Sequence, residues 1–113
     1  MEKIKLTVYA NLNGKEEIDE IFAIKDNSVI KYIDLTNNKI AIDIDNNIMT
    51  RENSDYLFTF KFNENNIIVK LKSHNQEFDK EIKTLLIKKT KKSYIIRYLL
   101  IDENIINEYQ LNF

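Results

Sequence analysis

The strongest constraint on the fold of this chain is the regular spacing of short clusters rich in Asn and Asp. Five clusters separate runs of Ile, Leu, Val, Phe and Tyr, at 26–28, 36–38, 45–47, 53–55 and 63–66. Asn and Asp side chains bond nearby backbone groups and tolerate positive φ, so such clusters mark turns. Turns roughly every 8 to 12 residues are typical of an all-β sandwich or barrel.

Alternation within the apolar runs indicates strands with one buried face. From Ile4 to Ala10, apolar side chains occupy every second position, and side chains alternate between the two faces of a strand. Asn13-Gly14 follows and predicts a tight hairpin, because the two-residue turn needs positive φ at both positions. The same reasoning predicts strands at 4–11, 16–24, 29–35, 39–44, 48–52, 56–62, 67–72, 78–88, 93–101 and 105–113.

Two segments, 13–25 and 78–89, also fit the spacing of an amphipathic helix. In the second, Phe78, Ile82 and Leu86 recur at helical intervals. Helices at these positions would make the fold α+β. We predict strands at both, because the Asn-Gly turn and the surrounding turn spacing favour a hairpin.

The connections between the predicted strands are short, and short connections join antiparallel neighbours. A long antiparallel meander tends to close on itself, which removes its exposed edges. The chain of 113 residues contains no linker-like stretch. We therefore predict one domain, 1–113, that forms an up-and-down barrel of about 8–10 strands.

Composition disfavours several classes of partner and chemistry. The net charge is −1, without the basic excess typical of nucleic-acid binding. The chain has no cysteine, and its one histidine, His74, falls in a predicted turn, so we expect no metal site and no cofactor. The sequence has neither a signal-peptide pattern nor a long apolar run, which predicts a cytoplasmic protein without a membrane partner. With no catalytic constellation visible, we expect a non-enzyme.

The two arginines are the first candidates for a binding site. Arg97 interrupts the apolar run 94–101, and Arg51 follows Met49 in the alternation of its strand. An arginine that points into a barrel needs a carboxylate from the protein or from a ligand, which makes both residues candidates for binding an anion. The alternative for each is an outward side chain with its head group in water.

Aromatic residues are the second candidates. Phe58, Phe60 and Tyr98 belong to an aromatic set that could line a cavity for a flat or fatty ligand, because ligand pockets are mostly apolar. The alternative is a barrel whose interior is filled by these side chains, without a void.

Several segments together resemble the DUF1934 (YwiB-like) family of small bacterial lipocalin-like, or calycin, β-barrels. The resemblance rests on 4–8, Arg51, 57–62, 78–84, 94–103 and 105–111. At 71–76 the chain departs from the family's Tyr-x-Thr-x-x-Gly pattern, since both the tyrosine and the glycine are absent. The resemblance implies a lipocalin-like barrel whose relatives carry ligands, and it assigns no biochemical function.

These observations predict a binding protein that holds a small hydrophobic or anionic molecule inside the barrel. The alternative is a filled barrel that acts through its outer surface or as a homodimer and carries no ligand. Fold alone does not decide between the two, because barrels serve unrelated functions.

Overall fold

In the computed structural model, which describes residues Met1–Phe113, the chain forms ten β-strands and one short 3₁₀-helix, Phe62–Glu64. No helix is long and apolar enough to cross a bilayer. The strands are β1 (Glu2–Leu12), β2 (Lys15–Asp26), β3 (Val29–Ile33), β4 (Lys39–Asp43), β5 (Ile48–Glu52), β6 (Tyr56–Lys61), β7 (Asn66–Leu71), β8 (Gln76–Lys89), β9 (Ser93–Leu100) and β10 (Ile105–Asn112).

Each strand pairs antiparallel with the next strand in the chain, and β1 pairs with β10 to close the barrel. This confirms the predicted all-β meander. The helical alternative is wrong at both segments, because 15–26 forms β2 and 76–89 forms β8.

Asparagine makes most of the turns possible. Seven asparagines have positive φ, one in each of seven turns: Asn13, Asn27, Asn37, Asn47, Asn65, Asn75 and Asn104. Gly14, at φ +78°, is the only other residue in this region. Positive φ at both Asn13 and Gly14 is the geometry of a type I′ hairpin turn, whose twist matches that of the flanking strands.

The meander places the connections alternately at two ends of the barrel. The closed end holds the connections 27–28, 44–47, 62–65 and 90–92. Here the interior is tightly packed, with Phe62, Tyr94 and Leu111 at most 2% exposed. The cavity end holds the connections 13–14, 34–38, 53–55, 72–75 and 101–104. Two interior cavities open from the cavity end, one beside the connection 13–14 and one beside 34–38.

Candidate functional site

The larger interior cavity has a volume of about 430 Å³ and lies toward the cavity end. Its walls come from seven of the ten strands and are mostly apolar, including Phe58, Phe60, Val69, Tyr98 and Leu100. Ligand pockets typically span about 300 to 1,000 Å³ and are predominantly apolar. The cavity therefore has the size and the character of a site for a small molecule.

Strand register explains why Arg51 faces inward. Arg51 pairs with Ile40 on one side and with Phe58 on the other, and Met49 pairs with Phe60. Directly paired residues share a face of the sheet, and Ile40, Met49 and Phe60 are buried. Arg51 must therefore point to the same interior, where it lines the cavity.

The guanidinium of Arg51 is incompletely paired. The side chain is 25% exposed, and Nη2 lies 4.0 Å from Oδ2 of Asp34. The Nε atom is buried without any hydrogen-bond partner. A guanidinium offers five N–H donors in a fixed fork, and a buried donor without a partner is costly. The protein itself thus leaves hydrogen-bonding capacity of Arg51 unused at the cavity wall.

An aromatic ladder forms one wall of the cavity. The ring centroids of Phe58 and Phe60 lie 6.3 Å apart, and those of Phe60 and Tyr98 lie 5.6 Å apart. These separations fall in the range of favourable aromatic pairs. Burial raises the pKa of Tyr98 above its usual value, so the phenol stays protonated, and its oxygen accepts a hydrogen bond of 3.5 Å from Nδ2 of Asn107.

A smaller cavity of about 190 Å³ lies on the other side of Arg51, next to β2. Asp34, Asp19 and the buried Tyr32 and Tyr109 line it. Burial raises the pKa of both tyrosines, whose phenols therefore stay neutral. Because Arg51 and Leu12 border both cavities, Arg51 lies between the more apolar larger cavity and the smaller cavity that Asp34 and Asp19 line.

Four of the five predicted site residues, Arg51, Phe58, Phe60 and Tyr98, line the larger cavity together. Arg97 lies elsewhere, and of the two alternatives for its side chain the inward one, which made it a candidate for binding an anion inside the barrel, does not apply. Its side chain is 46% exposed on the outer face, where Nη2 lies 2.7 Å from Oε1 of Glu108. The outward alternative applies to Arg97 because it shares a face with Leu86 and Glu108, its partners in β8 and β10, and not with buried Ile96 and Tyr98.

The sequence reasoning missed Asp34 and Tyr109. The sequence did not indicate the position of Asp34, because this residue follows β3 in a loop, where alternation no longer predicts which way a side chain points. Tyr109 had a signal that could have been used, since it lies two residues before the fully buried Leu111 on the same strand. His74 lies in an exposed turn, and no cluster of three or more His, Asp or Glu side chains could hold a metal ion.

No family model, no curated protein and no solved structure matches this chain. The resemblance to the DUF1934 family therefore stays a prediction.

Proposed function

We propose that this protein binds a small amphipathic molecule, with its apolar body in the larger cavity and its anionic group on Arg51. The observation that carries the proposal is the incompletely paired guanidinium of Arg51 at the wall of an aromatic cavity of about 430 Å³. The predicted cytoplasmic location and the predicted lack of catalytic activity are separate from this proposal and stay predictions.

The chemistry of Arg51 favours an oxyanion as the anchored group. A guanidinium binds carboxylate, sulfonate or phosphate oxygens through two parallel hydrogen bonds, and these charge-assisted bonds are stronger than neutral ones. Its only ion-pair partner, Asp34, is 4.0 Å away. An incoming oxyanion can thus bind Arg51 without first breaking a short hydrogen bond within the protein.

The walls of the larger cavity favour an aromatic or branched apolar body. Phe58, Phe60 and Tyr98 present ring faces and edges, and Val69 and Leu100 complete the surface. Burying apolar area contributes roughly 25 cal/mol per Å², so this part of the ligand supplies most of the affinity. The contact with Arg51 then selects ligands by charge.

A direct test uses two fluorescent probes of nearly equal shape. The probe 1-anilinonaphthalene-8-sulfonate carries an anionic group, and N-phenyl-1-naphthylamine is its neutral counterpart. We expect both to bind with enhanced fluorescence. Arg51→Met should weaken binding of the sulfonate about tenfold or more, because a hydrogen bond to a charged group contributes about 1.5–3 kcal/mol. It should leave binding of the neutral probe nearly unchanged.

The chain offers a matched control, since Arg97 is the only other arginine and lies on the outer face. Arg97→Met removes the same charge and should leave the affinity for both probes as it is. Val69→Phe narrows the cavity and should weaken the binding of both probes. Equal losses in the two arginine variants, or full binding to Val69→Phe, would show that the probes bind outside the barrel and would overturn the proposal.

A further inference from the structure

The barrel wall is split between β2 and β3. β2 extends over Lys15–Asp26, yet it pairs with β3 only through Ile24, Lys25 and Asp26. Along 15–23, β2 pairs with β1 alone. In an antiparallel ladder, successive residues direct their N–H and C=O groups to opposite sides of the strand. Alternate backbone groups of this stretch therefore face a gap instead of a neighbouring strand.

Exposed apolar side chains surround the gap on the outer surface. Ile18 and Phe22 of β2 are 69% and 68% exposed, and Ile33 of β3 is 57% exposed. A groove of about 480 Å³ runs between Phe22 and Ile33 and reaches the inward-facing Tyr32, because no pairing closes the wall there. Exposed strand edges with adjacent apolar side chains are templates for the addition of another strand.

The unpaired stretch of β2 is acidic. Residues 15–20 contain four carboxylates against the single Lys15. Glu17 pairs with Ala10 and Asp19 with Val8, both buried partners, so these two carboxylates lie on the inner face of the edge. Asp19 forms no ion pair with any lysine or arginine of the protein, whereas Nζ of Lys15 lies 3.7 Å from Oε1 of Glu17. The edge thus offers, at Asp19, a carboxylate without an ion-pair partner.

We propose that the free edge of β2, residues 15–23, binds an extended basic segment of another protein by strand addition. Backbone groups of the incoming segment complete the ladder on the side where β3 is missing. Lysine or arginine side chains opposite Asp19 and Glu17 neutralise these carboxylates, and an intervening apolar side chain packs beside Ile18 on the outer face. The recognised pattern is therefore basic, apolar, basic.

The β2 edge of a second copy does not suit this edge in the two registers that place its carboxylates opposite each other. When two β2 edges pair antiparallel about Asp19, this carboxylate lies opposite its own copy. When they pair about Ile18, Glu17 lies opposite Asp19. Like charges directly opposite each other destabilise a strand pair. Charge complementarity thus favours a basic partner over pairing of two β2 edges in these registers.

The experiment uses a short blocked peptide of alternating lysine and valine, and the same peptide with glutamate in place of lysine. Amide hydrogen exchange of the protein is followed by NMR. In the free protein, alternate amides within 15–23 should exchange fast although they belong to a strand. The lysine peptide should slow the exchange of these amides, and the glutamate peptide should not.

Charge-reversed variants test the site. Asp19→Lys should lower the affinity for the lysine peptide about tenfold, because it replaces attraction with repulsion at a directly opposed pair. Glu81→Lys is the matched control, since it changes the net charge equally at an exposed position on β8, and it should bind like wild type. Should Asp19→Lys fail to fold, Asp19→Asn serves with a smaller loss in the same direction.

Four results would overturn the inference. The first is no slowed amide at millimolar peptide, and the second is slowing confined to other strands, such as the free edge of β1 at 2–6. The third is an equal loss in the Asp19 and Glu81 variants, which indicates non-specific attraction. The fourth is protection of the 15–23 amides from exchange in the absence of peptide. If this protection increases with protein concentration, it assigns the edge to a second copy. These results concern the backbone of β2, whereas the proposed function rests on the larger cavity, which Asp19 does not line, so this inference and the proposed function fail separately.

Discussion

Nη2 of Arg51 lies 4.0 Å from Oδ2 of Asp34, an ion pair that is too long for a direct hydrogen bond. Asp34 does not depend on it. Its Oδ1 accepts hydrogen bonds from the backbone N–H groups of Thr36 and Asn38, at 3.0 and 2.8 Å, and Oδ2 accepts one from Nδ2 of Asn38. The carboxylate therefore holds its own loop in place, while the guanidinium remains incompletely paired.

Removal of the two partners should accordingly have unequal effects on stability. Asp34→Ala should lower the free energy of unfolding by about 2–3 kcal/mol, because several donors of the loop 34–38 lose their acceptor. Arg51→Met should change it by less than about 1 kcal/mol, since it removes a weak ion pair together with a buried donor that has no partner. Urea unfolding of both variants measures this difference, and equal losses would contradict it.

Asp34 should also contribute to the pH dependence of stability. Burial alone would raise the pKa of its carboxyl, but hydrogen bonds from Asn38 and Thr36 and the charge of Arg51 outweigh burial, so the pKa lies below its usual value. The unfolded chain then binds this proton at a higher pH than the folded protein does. The stabilisation is therefore complete at neutral pH and is lost as the pH falls below about 4.

The measurement is a series of urea midpoints from neutral to acidic pH. Asp34→Asn should be less stable than wild type at neutral pH, and this difference should shrink as the pH falls through the folded-state pKa. A constant difference over the whole range would mean that the carboxyl titrates alike in the folded and unfolded states.

The closed end contains a buried hydrogen bond that should be important for stability. The Tyr94 hydroxyl donates to Oδ1 of Asn47 at 3.0 Å, and both residues are buried. Tyr94→Phe leaves this oxygen without its donor and should lower the free energy of unfolding by about 1–2 kcal/mol.

Tyr109→Phe is the control, because Tyr109 is also a buried tyrosine but lines the smaller cavity. This variant should lower the free energy of unfolding by less than about 0.5 kcal/mol, measured by thermal or urea unfolding. Similar losses in both variants would refute the assigned role of the Tyr94 hydroxyl.

Gly14, in the first hairpin turn, allows the cost of backbone strain to be measured without a change in packing. Gly14 has φ +78°, and nothing lies within 4 Å of the position that a Cβ atom would occupy. Gly14→Ala should therefore destabilise the protein by about 1 kcal/mol through the left-handed backbone alone. Asn13→Gly keeps a residue that tolerates φ 55° and should change stability by less than about 0.5 kcal/mol. A neutral Gly14→Ala variant would mean that the turn adopts another conformation.

The fold could be predicted from the sequence because its turns are encoded locally. Each cluster of Asn and Asp specifies a reversal of the chain by itself, and seven turns indeed hold an asparagine with positive φ. The apolar alternation between them then needs no information from distant residues. The direction of Arg51 stayed open in the sequence, because alternation with Met49 shows that the two share a face but not which face is buried; the structure decides this, since Met49 is 1% exposed.

Features that depend on contacts between strands were not predictable. The ladder between β8 and β9 shifts between Thr84 and Leu86. A bulge adds one residue to one strand, so the inward positions change parity along β8, from Ile82 and Thr84 before the shift to Ile87 after it. Leu86, which completes the apparently helical spacing, lies on the outer face beside Arg97. In β2 the exposed Ile18 and Phe22 obscure the alternation in a different way, since apolar residues occupy both faces. Neither the shift nor the early end of pairing with β3 has a local signal.

The closing pair of strands has a consequence for the order of folding. Residues 7–11 of β1 pair with 108–112 of β10, whereas all other neighbouring strands in the barrel are also neighbours in the chain. Loop-closure entropy makes such a distant pairing the slow step, while each hairpin forms quickly by itself. A molecule held inside would bind only after this last seam has formed. Its release during unfolding should then precede the melting of the individual hairpins.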